Sequence, residues 1–334
     1  MNTVEENSCI VVGAGISGLL AARELRSAGW QVVVLDKGHS VGGRMATRRV
    51  GGGTFDYGAQ FLTVRSERFG ELVGKWLEAG IVREWTQGFV DAEGRRNDDG
   101  HPRFRGSKGM SSVPGHLACG LDVRTGERVV EVNVRAGAWE VHTESGTSEA
   151  GGALLLTAPV PQSLALVEPG NAKLPDEARH ELENISYAPC LALMVLLDGQ
   201  TGVPEPGGVQ VKGEPLDWIG DNQRKGISEA PGVTIHAGPE WSREHFEAGE
   251  AEVTALLLAF AGEQLASDLS SRVVETSLTR WRRSWVTQPH PGPCLVASEE
   301  PSLLFAGDAF GETKVEGAAL SGLAAANHLL GREG

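Results

Sequence analysis

Tyrosine is nearly missing from this chain: Tyr57 and Tyr187 are the only two among 334 residues. No tyrosine follows residue 187, so the C-terminal part of the chain can contribute no phenol to a site. Cysteine is almost as scarce. Cys9, Cys119, Cys190 and Cys294 are scattered with no C-x-x-C pair, which argues for reduced structural thiols and a cytoplasmic location rather than a disulfide framework, and no metal site is expected. No apolar run approaches the ~20 residues of a membrane span. The acidic opening Met1–Glu6 has neither a basic stretch nor an apolar core, so a cleavable leader is not expected either. Basic residues are outnumbered, 30 against 44 acidic ones, for a net charge of -14. That balance opposes a nucleic-acid partner, because nothing offsets phosphate repulsion over the surface. Internal repeats and low-complexity tracts are also missing.

Glycine, by contrast, is abundant, and its first cluster is the most informative part of the chain. The apolar run Cys9–Val12 meets Gly13-Ala-Gly15-Ile16-Ser17-Gly18 and then Ala22, and a second apolar run, Val32–Leu35, ends in Asp36. Strand, glycine motif, helix, strand and acid in that order form a dinucleotide-binding fingerprint. Gly13 allows the tight turn, Gly15 lets backbone approach a pyrophosphate, and Gly18 with Ala22 lets the helix pack close to the sheet. The helix N-terminus then offers N–H groups and positive dipole to the phosphates. Asp36 would accept both hydroxyls of an adenosine ribose, with Lys37 beside it. Downstream, Val41-Gly-Gly43-Arg44 selects the dinucleotide, since a Gly-Gly pair followed by Arg closes a flavin dinucleotide's pyrophosphate from its other side. The expected cofactor is FAD, held noncovalently.

Near the C-terminus, Leu303–Ala306 runs into Gly307-Asp308 and then Val315-Glu316-Gly317-Ala318-Ala-Leu-Ser321-Gly322. Here Asp308 would accept from a ribityl hydroxyl, and a helix starting near Glu316 and Gly317 would aim its N-terminus at the N1 and C2-carbonyl edge of the isoalloxazine, favouring the anionic reduced form.

Between these motifs the pattern predicts a helix through Phe69, Val73 and Trp76, a polar hairpin or loop over 91–109, a hairpin from Gly126–Val134 and Trp139–Thr143, and an apolar strand from Ala153. Strands at Leu191–Leu197, Leu216–Gly220 and Val233–Ala237, and a helix over Ala251–Leu265, belong to a substrate domain. The fold expected is α/β: a Rossmann-type FAD domain formed by 1–70, 106–165 and 294–334, and a discontinuous α+β substrate domain with a mostly antiparallel sheet formed by 71–105 and 166–293.

The runs Gly42–Arg48, Phe55-Asp-Tyr-Gly-Ala-Gln60, Gly126–Val129, Leu216–Asn222, His236–Ser242, Arg280-Trp281 and Gly307-Asp308 with Val315–Gly322 resemble bacterial renalase-type flavoproteins of the flavin amine oxidase superfamily. The resemblance implies a fold of the p-hydroxybenzoate hydroxylase type and adds Gly58, Ala59, Gln60 and Val129 to the cofactor contacts. It also implies oxidation of dihydronicotinamide dinucleotides reduced at the 2 or 6 ring position to NAD(P)+, with hydride passing to flavin N5 and O2 giving H2O2. Flavin amine oxidases, other FAD-dependent dehydrogenases and a non-catalytic flavin-binding sensor or scaffold are the alternatives. Trp218, Asn222, His236, Trp241, His245, Trp281 and Trp285 could wall a nicotinamide ring, although tryptophans are usually core and a lone histidine is usually structural. Arg280, Arg282 and Arg283 are phosphate ligands or the solvated face of a strand. Hydride transfer needs no protein acid or base, so no catalytic side chain is assigned.

Overall fold

The computed structural model describes Glu5 and residues 7–332, so the rest of the acidic opening lies outside the described residues. The chain divides into two compact units, one formed by Met1–Gly43, Val113–Ser186 and Val286–Gly334 and the other by Arg44–Ser112 and Tyr187–Trp285.

The first unit is built on a six-stranded sheet with Ser8–Val12 at its centre. The strands Gln31–Asp36, Ala153–Leu156, Ser302–Phe305 and Asp122–Thr125 run parallel in it, and only the edge strand Leu295–Glu299 is antiparallel. Ser8–Val12 and Ala153–Leu156 are buried along their whole length, as the continuous apolar runs of central parallel strands require. Helices Ile16–Ser27 and Lys314–Leu329 pack on each other with very little between them: a Cβ on Gly322 would lie 2.1 Å from the Ser17 carbonyl oxygen. An antiparallel meander, Val129–Arg135, Ala138–Thr143 and Ser148–Gly151, is tied to the sheet where Trp139 Nε1 donates to the Ser302 carbonyl at 2.8 Å.

The second unit has a seven-stranded sheet in the order Val273–Gln288, Ser186–Leu197, Gly232–Ala237, Leu216–Asp221, Gly208–Gln210, Val82–Asp91, Arg96–Gly106. The polar 91–109 segment supplies the turn and the outer strand of the last hairpin of this sheet, paired with Val82–Asp91. One face packs beneath helices Pro239–Glu244 and Glu250–Gln264, through Leu191, Leu193, Val195, Ile219, Val233, Ile235, Val253 and Leu257. The opposite face carries Met194 and Leu196 against Phe55 and Tyr57, next to the small hairpin Thr47–Val50 and Gly53–Asp56.

The units differ from the expected division, since residues 44–70 and 106–112 fall in the second unit and residues 166–186 and 286–293 in the first. For the 44–70 segment, hydrogen bonds supply the reason. Asp56 accepts from Lys225 Nζ at 2.6 Å, its backbone N–H donates to Asn222 Oδ1 at 3.3 Å, and its carbonyl accepts from Thr234 Oγ1 at 2.9 Å. Among the described residues no helix is long and apolar enough to cross a membrane.

Candidate functional site

In the first unit, Gly13 takes φ +116, and its backbone N–H is held by the Leu35 carbonyl at 2.8 Å. Thr157 Oγ1 donates to the carbonyls of Val12 and Gly13, both at 3.1 Å, fixing the turn from below. Gly18 has no room for a side chain, because a Cβ there would meet the Gly13 carbonyl oxygen at 2.1 Å. Gly15 is the opposite case: nothing lies within 4 Å of the Cβ it lacks. No side chain caps the helix that starts at Ile16, and Ser17 Oγ is buried without a hydrogen-bond partner among the described residues. Open space at Gly15, uncapped N–H groups and an orphaned hydroxyl suit the oxygens of a pyrophosphate.

Asp36 is oriented by two backbone donors, Ala14 N to Oδ2 and Gly38 N to Oδ1, each at 2.6 Å. A carboxylate retains acceptor capacity beyond two hydrogen bonds, which suits the ribose hydroxyls. The segment leading to Val129 comes beside it, since Gly126 N donates to the Gly38 carbonyl at 2.7 Å and Glu127 N to the Asp36 carbonyl at 2.9 Å. Lys37 reaches Gln162 Oε1 at 3.0 Å. At the other end of the sheet Gly307, with φ +136, donates its N–H to Ser321 Oγ at 2.8 Å, and the half-buried Asp308 follows it. A Cβ on Gly317 would lie 1.5 Å from the Glu312 carbonyl oxygen, so only glycine lets Lys314–Leu329 begin there, with Glu316 and Ala318 on either side. These residues fit a flavin dinucleotide.

The second unit holds the other expected cofactor residues. Arg44 follows Gly43 in a short 3-10 turn and donates from Nη1 to the Arg283 carbonyl at 3.3 Å. Its own carbonyl accepts from Ala59 N at 2.8 Å, and a Cβ on Gly58 would sit 2.1 Å from that same oxygen. Gln60 is buried, its Nε2 donating to the carbonyls of Asp56 at 2.7 Å and Gly58 at 3.2 Å.

The seven candidate substrate residues do not share one surface. Trp218 and His236 are cross-strand partners, and Asn222 joins their face of the sheet through Nδ2 to Thr234 Oγ1 at 2.9 Å. Trp281 belongs with them, its ring stacked on Tyr57 (centroids 5.3 Å apart, 18° between planes) and its Nε1 donating to the Tyr57 carbonyl at 2.9 Å. Trp241 and His245 stack on each other at 4.1 Å in the layer of helices on the other face. Trp285 is 40% exposed. Asn222 gives its amide to protein partners on both sides, Asp56 N and Thr234 Oγ1, so it positions the Asp56 segment. Arg280 and Arg282 also sit with the helices: Arg280 donates to the carbonyls of Phe246 and Ala248, and Arg282 pairs with Glu247 over the Phe246 ring.

A bulge brings Trp218 to His236. Leu216 pairs with Ala237 on the helix-covered side, and the register shifts before Trp218 pairs with His236; without that shift, period-two alternation would put Trp218 beneath the helices with Leu216. Sequence reading missed this, and it missed the buried Asp56–Lys225 pair, whose only signal was an acid set between Phe55 and Tyr57.

Burial pushes the His236 imidazole down to about 4, against a hydrogen bond to the Tyr57 backbone that favours the charged form. The ring is neutral at pH 7. Its ordinary value of about 6.5 applies once the chain unfolds, so between about pH 6.5 and 4 only the unfolded chain takes up this proton. Stability from this group is complete above pH 6.5 and falls by about 3 kcal/mol on the way to pH 4. Urea unfolding of wild type and His236→Phe at pH 7 and pH 4.5 should show the gap between them narrowing; a constant gap would mean that the folded ring takes up its proton as readily as the unfolded chain does.

The comparisons with known proteins agree with this geometry. Residues 11–76 match the model of an NAD(P)-binding Rossmann-like domain, and residues 77–330 match that of flavin containing amine oxidoreductase. The chain belongs to the flavin-containing amine oxidoreductase family. It is an FAD-dependent oxidoreductase. Renalase of Mus musculus is 29% identical over 336 residues, covering 94% of this chain and 96% of that protein. A 4,4'-diapolycopene oxygenase of Methylomonas sp is 41% identical, but over 64 residues, 19% of this chain and 13% of that protein. Among solved structures, a putative protoporphyrinogen oxidase from Exiguobacterium sp. 255-15 superimposes with a TM-score of 0.77 over 99% of this chain and 100% of that one at 14% identity, a likeness of fold.

Proposed function

We propose that this family member oxidises dihydronicotinamide dinucleotides reduced at ring position 2 or 6 to NAD(P)+, with O2 as electron acceptor and H2O2 as the second product. The observation that carries the reading is the end-to-end correspondence with Renalase, 94% of one chain against 96% of the other. FAD, when bound by these residues, would supply the two-electron acceptor for the hydride, with O2 as its oxidant. The chain's task is then to bind and orient, since hydride leaves with its own electron pair and needs no protein base.

The second unit is suited to that task and poorly suited to amines. Tyr57 and Trp281 are in direct contact, and the Arg48 guanidinium lies 4.7 Å from the Tyr57 ring centroid. An alkylammonium group therefore finds no slot between the two rings, and a cation already faces the tyrosine. Trp281, Trp218 and the neutral His236 are the residues assigned to the substrate, and a cytoplasmic site of action accords with four free cysteines.

The test is aerobic turnover. A borohydride-reduced mixture of NAD isomers should yield H2O2 and NAD+ at least ~100-fold faster than 4-dihydro-NADH or putrescine, a difference of about 2.7 kcal/mol in barrier. Faster turnover of the amine would replace this reading with amine oxidation.

A further inference from the structure

Five buried side-chain polar atoms have no hydrogen-bond partner among the described residues, and three of them, Gln60 Oε1, Trp218 Nε1 and His236 Nε2, belong to the second unit's sheet face carrying Trp218 and His236. Each side chain is more than nine-tenths buried, with residue exposures of 7%, 4% and 6%. An unpartnered buried donor or acceptor costs about 1–3 kcal/mol, and native proteins hold few of them. Three together in one unit call for a ligand.

The sign of each atom is fixed by the bonds around it. Gln60 directs Nε2 at two carbonyls, so the oxygen facing away is an acceptor. Trp218 Nε1 can only donate. The neutral His236 ring is hydrogen-bonded to the Tyr57 backbone, which uses its single N–H and leaves Nε2 an acceptor. A Cβ placed on Gly220 would lie 2.6 Å from Trp218 Nε1 and 3.3 Å from Gln60 Oε1, so glycine there lets the indole lie against the strand and brings the two atoms to the same spot. Gly58, Ala59 and Phe61 alongside are only half-buried, which sets the cluster one side chain beneath the surface.

We infer that Gln60 Oε1, Trp218 Nε1 and His236 Nε2 form a receptor for a primary carboxamide, the two acceptors taking its N–H groups and the indole N–H donating to its carbonyl. The inference rests on the dihydronicotinamide reading and names the part of that substrate the chain recognises. A carboxylate would turn an oxygen toward an acceptor, a ketone would leave both acceptors unmatched, and an alkylammonium would strand the indole N–H. A cation would also meet the positive charge of Lys225, which is felt at His236.

Oxidised NAD+ and its 3-acetylpyridine analogue, in which methyl replaces the amide nitrogen, separate these cases when titrated calorimetrically into the holoprotein. Wild type should bind NAD+ about tenfold more tightly, the worth of the amide donors. His236→Phe should weaken NAD+ and leave the analogue nearly unchanged, collapsing the ratio. Trp218→Phe should weaken both ligands by the same several-fold factor, since both keep the carbonyl. Equal affinities on wild type, or a ratio untouched by His236→Phe, would overturn the receptor. Release of flavin from either variant would overturn it as well, assigning the atoms to the cofactor. The wild-type comparison needs no variant to fold. If isomeric dihydronicotinamides reduce the flavin while the ratio is one, the receptor alone fails; if they do not reduce it and NAD+ does not bind, both readings fail together.

Discussion

Replacing Lys225 by methionine is expected to cost about 3–5 kcal/mol of folding stability, a large share of the ~5–15 kcal/mol typical of a folded protein. Lys225 and Asp56 are both essentially inaccessible, and Lys225 Nζ lies 2.6 Å from Asp56 Oδ2. The other carboxylate oxygen accepts from Thr47 Oγ1 at 2.5 Å and Met110 N at 2.8 Å. Burial pushes the Lys225 ammonium below its ordinary range, and the facing Asp56 carboxylate holds it up. Methionine preserves the length of the lysine stem but leaves the carboxylate buried with its cation removed, which is the expensive way to break a buried pair. Adding Asp56→Asn removes the stranded charge, so the double variant should be more stable than Lys225→Met alone. Urea midpoints for the three proteins decide the matter, and a Lys225→Met midpoint equal to wild type would show that the pair contributes no net stability.

The second large effect falls on cofactor retention. Gly15→Val should leave a folded protein that has lost most of its flavin, with affinity for FAD reduced at least ~100-fold. Gly15 adopts φ -78 and ψ 178, an extended conformation open to any residue, and no atom lies within 4 Å of the added Cβ. The valine therefore strains nothing in the protein and occupies the space a pyrophosphate requires. Gly18→Ala makes the opposite prediction. Its methyl would lie 2.1 Å from the Gly13 carbonyl oxygen and 2.9 Å from Thr157 Oγ1, so the flavin-free protein itself should lose about 1–3 kcal/mol. Flavin absorbance per chain and the unfolding midpoint of the flavin-free forms separate the two. Gly15→Val purified with full flavin would mean that Gly15 does not face the phosphates.

These contrasts show which layer of the molecule the sequence made legible. Local signals were sufficient for the first unit: the glycine turn after Ser8–Val12, the acid closing Gln31–Asp36 and the Gly307-Asp308 step each sit within a few residues of the strand that positions them. Parallel strands buried on both faces also announce themselves as unbroken apolar runs. The second unit depends on long-range pairing, and periodicity says little about that. Nothing near Leu216 or Trp218 marks the register shift that carries the indole to the His236 face, and the distance in sequence between Asp56 and Lys225 hides their ion pair. The substrate candidates were consequently gathered by residue type. The sheet then sorted them, leaving Trp241 and His245 beneath the helices and Trp218, His236 and Trp281 with the Tyr57 segment. Gln60, counted among cofactor contacts, gained a different meaning from its orphaned oxygen.

The central claim, that this flavoprotein oxidises misreduced nicotinamide dinucleotides, is tested most directly by mixing the holoprotein anaerobically with borohydride-reduced NAD isomers and following the flavin absorbance band. Rapid bleaching by the isomer mixture, with 4-dihydro-NADH and putrescine leaving the band unchanged, is the predicted result. Bleaching by the amine alone, or by none of the three, would contradict it.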